Sequence, residues 1–217
     1  MSEGWTLALM VFAGLSMVIG ALGGLMQTNI KRLMAYSSIA NMGYALVPLT
    51  AGTLAGLTGM LTFMTIYIVT IIGVFACILQ MRLRSGIVEQ ISDLSGLAET
   101  NKGLATMLTL MMVSLIGIPP LAGFWGKWFA FGPAIEVGHY FIVLLALISS
   151  VVGAFYYLRI IRLMWFAESK EPFIAGAGAE RSLSVISAIL LVVLVVVPFI
   201  THPSLSLIRN AAISIAG

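Results

Sequence analysis

Lys127 is the amine on which proton chemistry in this 217-residue chain would rest. It stands in Gly117-Ile118-Pro119-Pro120-Leu121-Ala122-Gly123-Phe124-Trp125-Gly126-Lys127-Trp128, inside an apolar run from about Leu104 to Phe131. Pro119 and Pro120 have no N–H, so the carbonyls of Leu115 and Ile116 lose their usual helical partners and the helix must break or bend. Irregular backbone at membrane depth is tolerated where protein covers it or where it lines a wet cavity. Gly117, Pro119, Pro120 and Gly123 therefore read as a helix break beside a buried, hydrated site. An ionisable side chain in a membrane span costs about 3 kcal/mol on insertion scales and marks function by default. The chemistry open to an ammonium there is to carry a proton. A second reading stays open: a lysine near a helix end can snorkel to the interface, with Trp125 and Trp128 as an aromatic belt. Depth separates the two. A straight helix from Leu104 would put Lys127 ~35 Å along its axis, close to the far interface, and a break draws it inward.

Polar residues in the neighbouring spans form the candidate proton path: Ser37, Asn41, Tyr44 and Tyr67. Ser37, Asn41 and Tyr44 are spaced i, i+4, i+7 on one helix face, with Tyr36 and Ser38 beside them, and Thr62, Thr65 and Thr70 interrupt the span that holds Tyr67. Hydroxyls and amides can hold a hydrogen-bonded water chain without charge. Taken singly, each also reads as an ordinary helix–helix hydrogen bond. Lys31 is a second proton-site candidate, at the inner end of the path, and reads equally as a positive anchor beside Arg32. The sequence has no metal-ligand cluster, phosphate loop or nucleophile–base pair, and His139 and His202 are isolated in connections.

The elements that must position these groups are membrane helices. The chain is 60% hydrophobic and 9% charged, with mean hydropathy +1.10, against roughly a quarter charged in soluble domains. Six apolar spans, about 5–26, 33–50, 57–81, 104–131, 140–166 and 183–200, are long enough for a ~30 Å hydrocarbon core. The alternating pattern of a membrane barrel is absent. Nine of the eleven basic residues, Lys31, Arg32, Arg82, Arg84, Lys102, Arg159, Arg162, Lys170 and Arg181, fall in or beside alternate connections. The positive-inside rule places those connections on the inner side and both termini on the outer side, with Arg209 near the outer end. The net charge of +3 follows from this topology, and no nucleic-acid partner is expected. The first apolar run lacks a basic n-region and a cleavage site, so it is expected to be retained. Cys77 lies within a span as a small buried hydrophobe. Between Ser85 and Gly103 the spacing of Ile87, Val88, Ile91, Leu94 and Leu97 predicts an amphipathic surface helix. Gly176-Ala177-Gly178 marks a flexible connection, and Pro203 precedes a tail at the outer interface. Gly14, Gly20, Gly23 and Gly24 offer small faces for helix packing.

The run from Gln27-Thr28-Asn29-Ile30-Lys31-Arg32 through Tyr36-Ser37-Ser38-Ile39-Ala40-Asn41-Met42-Gly43-Tyr44, then Asp93-Leu94-Ser95-Gly96-Leu97, Gly117 to Trp128, and Tyr156-Tyr157-Leu158-Arg159 occur in this order. In that order they resemble the antiporter-like subunits of respiratory complex I, over essentially the whole chain. The detail is most similar to the N-type subunit of the bacterial proton-translocating NADH:quinone oxidoreductase, equivalent to mitochondrial NADH dehydrogenase subunit 2. Lysine at position 127 fits that type better than the M type, which tends to carry glutamate there.

The resemblance implies a module of fourteen helices made from two inverted five-helix repeats, each with one broken helix. This chain corresponds to the second repeat and the last helix: residues 5–166 as the antiporter-like repeat with its broken helix at 104–131, 167–182 as an inner-side connection, and 183–217 as the final span and outer tail. The glutamate and lysines of the first repeat have no counterpart, which implies a split subunit whose N-terminal half is another chain, or a piece of a longer polypeptide. Asn41 stands where many relatives carry histidine, and an amide cannot titrate. The implied activity is that of a translocase subunit with no redox centre and no cofactor or metal of its own. FMN, iron–sulfur clusters and quinone are expected in other subunits, and the implied partners are other membrane-arm subunits and lipid. The implied location is a bacterial cytoplasmic or mitochondrial inner membrane. Lys127 would be the proton carrier toward the outer side, switched by charge moving along an intramembrane line. A related cation/proton antiporter or membrane-bound hydrogenase subunit, and a non-transporting scaffold, are the alternatives.

Overall fold

A computed structural model describes residues 3–83, 86–169, 179–196, 208 and 210–214. Arg84, Ser85, Lys170, Gly176-Ala177-Gly178, His202, Pro203 and Arg209, on which parts of the topology reading rest, lie outside the described residues.

The chain folds as helices around one apolar core. α1 (Glu3–Leu25) and α2 (Ile30–Leu46) form an antiparallel hairpin. Gly20 lets their backbones touch, because a Cβ there would strike the Ala40 amide and the Tyr36 carbonyl. Asn29 caps α2, its side-chain oxygen accepting from the amides of Lys31 (3.0 Å) and Arg32 (3.1 Å). A 3-10 turn at Pro48–Ala51 leads to α3 (Leu54–Gln80). α5 (Lys102–Ile116) and α6 (Ala122–Glu136) are the two pieces of the broken helix. α7 (Tyr140–Phe166) returns along the bundle, and α8 (Ala179–Val196) lies against α3.

Among the described residues, three helices are long and apolar enough to cross a membrane alone: Gly4–Leu25, Leu54–Gln80 and Tyr140–Phe166. The expected broken span 104–131 is two helices of 15 residues, each ~22 Å long and short of a full crossing. Their apolar length is interrupted where the prolines remove donors. α6 carries a second interruption, since Pro133 within it lacks the N–H that would serve the Phe129 carbonyl. α3 meets that carbonyl through Gly59, where a Cβ would collide with it.

The segment expected as an amphipathic surface helix is not one. It forms a small hairpin, β1 (Arg82–Leu83) with β2 (Gly86–Ile87), a 3-10 turn at Ile91–Leu94, and the single turn α4 (Leu97–Thr100). Gln90 and Asp93 close a capping box, and Gly96 turns the chain at φ 69°. The apolar spacing is real but faces the protein: Val88, Ile91, Leu94 and Leu97 are buried in the core, and Ile87 alone of the five is exposed. Backbone bonds fix the segment across one end of the bundle, from Ile30 to Glu89 (2.8 Å), Ile91 to Thr28 (2.7 Å) and Gly96 to Leu163 (3.2 Å).

Candidate functional site: a lysine on a broken helix

α5 ends because Gly117 takes φ 90°, a left-handed conformation that glycine adopts without a Cβ penalty. Its amide donates to the Ser114 carbonyl (3.0 Å), and that of Ile118 reaches back to Val113 (3.3 Å). This pattern is a Schellman ending. The Pro119–Pro120 bond is cis. α6 then starts hard against the end of α5: the Gly123 amide donates to Ser114 Oγ (3.2 Å), and a Cβ on Gly123 would run into the Ser114 carbonyl.

Lys127 lies in the second turn of α6. Helical side chains tilt toward the N-terminus, so Lys127 points back at the break. Its Nζ donates to the Ile116 carbonyl (2.7 Å) and to Ser150 Oγ on α7 (2.6 Å). The Ile116 carbonyl is the one that Pro120 deprives of its helical donor, so the amine replaces the missing N–H. It also lies at the C-terminal end of α5, where the helix dipole favours a cation. The Tyr44 ring centroid is 5.2 Å from Nζ, within cation–π range. Among the described residues the only ion pair is Lys31–Glu89, so no described carboxylate neutralises Lys127. The ammonium is turned into the bundle, whereas the neighbouring Trp128 is largely exposed.

Among the described residues, two cavities meet Lys127. A small one of about 10 Å³ is lined by Asn41, Tyr67, Thr70, Ser114 and Lys127, with Phe63 and Ile66 as apolar wall. That is close to the least room one water needs, among polar partners. The other, about 630 Å³, runs along α6 and α7 past Trp128, Gly132 and Ser150 to Glu136.

The candidates on α2 are brought to this place as buried, bonded groups. Ser37 and the Tyr157 hydroxyl share a hydrogen bond. The Asn41 amide donates to the Ser37 carbonyl (2.9 Å) and Oγ (3.3 Å). Tyr44 donates to Ser149 (3.2 Å), which donates to the Met17 carbonyl (2.9 Å). Tyr67 donates to Ser38 (2.7 Å), which donates to the Met34 carbonyl (2.9 Å). Thr62, Thr65 and Thr70 each bond a carbonyl one turn back on their own helix. Lys31 is apart from them. It stands at the other end of α2, thirteen residues or ~20 Å from Tyr44 along the axis, 42% exposed and 3.8 Å from Glu89.

Ser114, Ser149, Ser150 and Tyr157 are the participants that sequence reasoning did not select as site residues. The signal for two of them was the hydroxyl pair Ser149-Ser150 in the apolar first half of α7; nothing local in the sequence marks Ser114.

The family description NADH:quinone oxidoreductase/Mrp antiporter, transmembrane, matches residues 1–153. The chain belongs to that family. It is 51% identical over 178 residues to NADH-quinone oxidoreductase subunit N 1 of Rhizobium meliloti, covering 82% of this chain and 37% of the relative. A chain of respiratory complex I from Thermus thermophilus with bound aureothin superposes with TM-score 0.73 at 32% identity, covering 87% of this chain and 43% of that one. The Mrp complex of a Dietzia species superposes with TM-score 0.84 at 20% identity, over 96% of this chain and 47% of that one; at that identity the likeness is one of fold. The chain thus spans about two fifths of the length of the curated family members it matches. In this chain the Lys127–Ile116 contact closes the break between α5 and α6.

Proposed function

We propose that this chain works in the membrane arm of a proton-translocating NADH:quinone oxidoreductase, with Lys127 as the proton carrier. The observation that carries the reading is the ammonium on the carbonyl freed by Pro120, held by Ser150 and lying between two cavities of different size. The names of the related proteins support the assignment to that enzyme. The proton enters from the end that carries Lys31, passes the hydroxyls of Ser37, Tyr67 and Tyr44 with water held at Asn41, and leaves Lys127 through the larger cavity. Lys31 is the surface group at the entrance. Residues 5–166 form one antiporter-like repeat, with 167–182 as its inner connection and 183–217 as the last span and outer tail. α5 and α6 cross the membrane jointly, which gives six crossings with α1, α2, α3, α7 and α8. The remaining helices of the module, in the same polypeptide or another, complete the path. FMN, iron–sulfur clusters and quinone belong to other subunits, and the assembly lies in an energy-transducing membrane, bacterial cytoplasmic or mitochondrial inner.

Purification of the assembly from native membranes tests this reading. Flavin- and iron–sulfur-containing subunits should travel with the chain. Copurification with antiporter subunits and no redox subunit would assign it instead to a cation/proton antiporter.

Ser150 gives a finer test. A hydrogen bond to a charged group is worth about 1.5–3 kcal/mol, so Ser150→Ala should slow coupled proton translocation roughly tenfold while Ile116 still holds the amine. Ser150→Thr keeps the hydroxyl and should keep most of the rate. Proton uptake by inverted membrane vesicles, normalised to assembled complex, is the measurement; equal rates for the alanine variant and the parent would remove Ser150 from the site.

A further inference from the structure

Glu136 closes α6 at the end of the bundle opposite Lys31. That end is fixed by contacts: His139, three residues on, bonds Thr50 at the far end of α2 (3.2 Å), whereas Lys31 and Glu89 lie where α2 begins. Among the described residues the carboxylate has no stabilising partner. It is exposed, it makes no ion pair within the described residues, and a negative charge in the last turn of a helix opposes the helix dipole. What it does have is position. Glu136 lines the cavity of about 630 Å³ that begins at Lys127, and also a second cavity of about 460 Å³ on the α3 side, with Thr58 and Thr62. Trp128 and Gly132 are the other residues common to both. Among the described residues no other acidic residue lines either cavity, and Lys127 is the only other charged group in them. His139 is turned to Thr50. Glu136 lies nine positions beyond Lys127, about 13 Å along the helix. The larger cavity has ample room for a file of waters over that distance.

We propose that Glu136 is the proton acceptor at the mouth of the Lys127 cavity. The ammonium of Lys127 gives one proton to cavity water, and the water file passes a proton to the Glu136 carboxylate. The carboxylic acid then releases it to the aqueous phase at that end. The products are a neutral amine, a regenerated carboxylate and one exported proton, so charge and protons balance. This assignment rests on the reading of Lys127 as a proton carrier.

The experiment compares Glu136→Gln, Glu136→Asp and Lys127→Ala in the assembled oxidoreductase in inverted native membranes, with proton translocation followed per quinone reduced. Glu136→Gln keeps size and polarity at an exposed position, so assembly should be unchanged. Coupled translocation should fall about tenfold, less than the hundredfold or more of a group that contacts the reacting atoms. Glu136→Asp should restore it, which a merely structural glutamate would not predict for so short a side chain. Full translocation by the glutamine variant beside a defective Lys127→Ala would overturn the role of Glu136 alone. Failure of the aspartate variant to exceed the glutamine one would overturn it as well. Full translocation by Lys127→Ala would sink both readings together.

Discussion

Lys127→Ala should assemble at parental levels and lose coupled proton translocation by at least about a hundredfold, the contribution expected of a positioned proton-transfer group. Assembly survives because the lysine fills no core position: its amine borders cavities on both sides, and its fixed partners are one carbonyl and one serine. Removing it lifts the cost of holding a charge at membrane depth. Alanine can neither take nor give a proton, so the proposed path would stop at the break. Lys127→Arg separates charge from titration. Arginine can reach a carbonyl acceptor and stays protonated at any accessible pH, so it should fail nearly as completely. A merely anchoring lysine would tolerate arginine, which snorkels equally well. Proton uptake with simultaneous quinone reduction, on complexes matched by native gel, decides the matter: full coupled activity in the arginine variant returns Lys127 to an anchoring role.

Gly123→Ala should be strongly damaging for a single added methyl. Its Cβ would occupy the place of the Ser114 carbonyl oxygen, and that carbonyl is itself held by the Gly117 amide (3.0 Å) at the end of α5. Both partners are backbone, so no side-chain rotation relieves the overlap. Overpacking costs about 1–3 kcal/mol where side chains can yield, and here the upper end or beyond is expected. Gly132→Ala is the matched control nine residues further along the same helix. Nothing lies within 4 Å of a Cβ there, and alanine in place of glycine gains up to about 1 kcal/mol of helix propensity. Thermal inactivation of the detergent-purified assembly should fall for Gly123→Ala and hold or rise for Gly132→Ala. Equal stability of the two variants would show that the end of α5 yields more than its backbone contacts imply.

The break was legible because proline chemistry is local. Pro119 and Pro120 identify by themselves which carbonyls lose donors, and Ile116 is one of the two so identified. That Lys127 would be the replacement donor was not legible, since it depends on the lysine stem folding back eleven residues toward the break. The i, i+4, i+7 face of α2 was readable as one face, and the structure buries all three members. Its partners Ser149 and Tyr157 come from α7, more than a hundred residues away, where no local spacing marks the contact. The segment before α5 failed for a different reason. Helical spacing of Ile87, Val88, Ile91, Leu94 and Leu97 describes which residues turn the same way, but not whether lipid or protein lies on that side. The capping box at Gln90 and the positive φ of Gly96 divide it into turns too short to be a surface helix.

α6 is pinned by its main chain at two places along its length. Gly123 sits on the Ser114 carbonyl near its start, and Gly59 of α3 sits on the Phe129 carbonyl where Pro133 has left that oxygen without a helical donor. A rod clamped in this way has no clearance to slide. If Lys127 carries protons as proposed, its reorientation between its two sides would come from torsions within the lysine stem, which relax in picoseconds to nanoseconds, whereas helix displacements take microseconds to milliseconds. The tempo of the site would then be set by the arrival of charge and water, with the scaffold standing still.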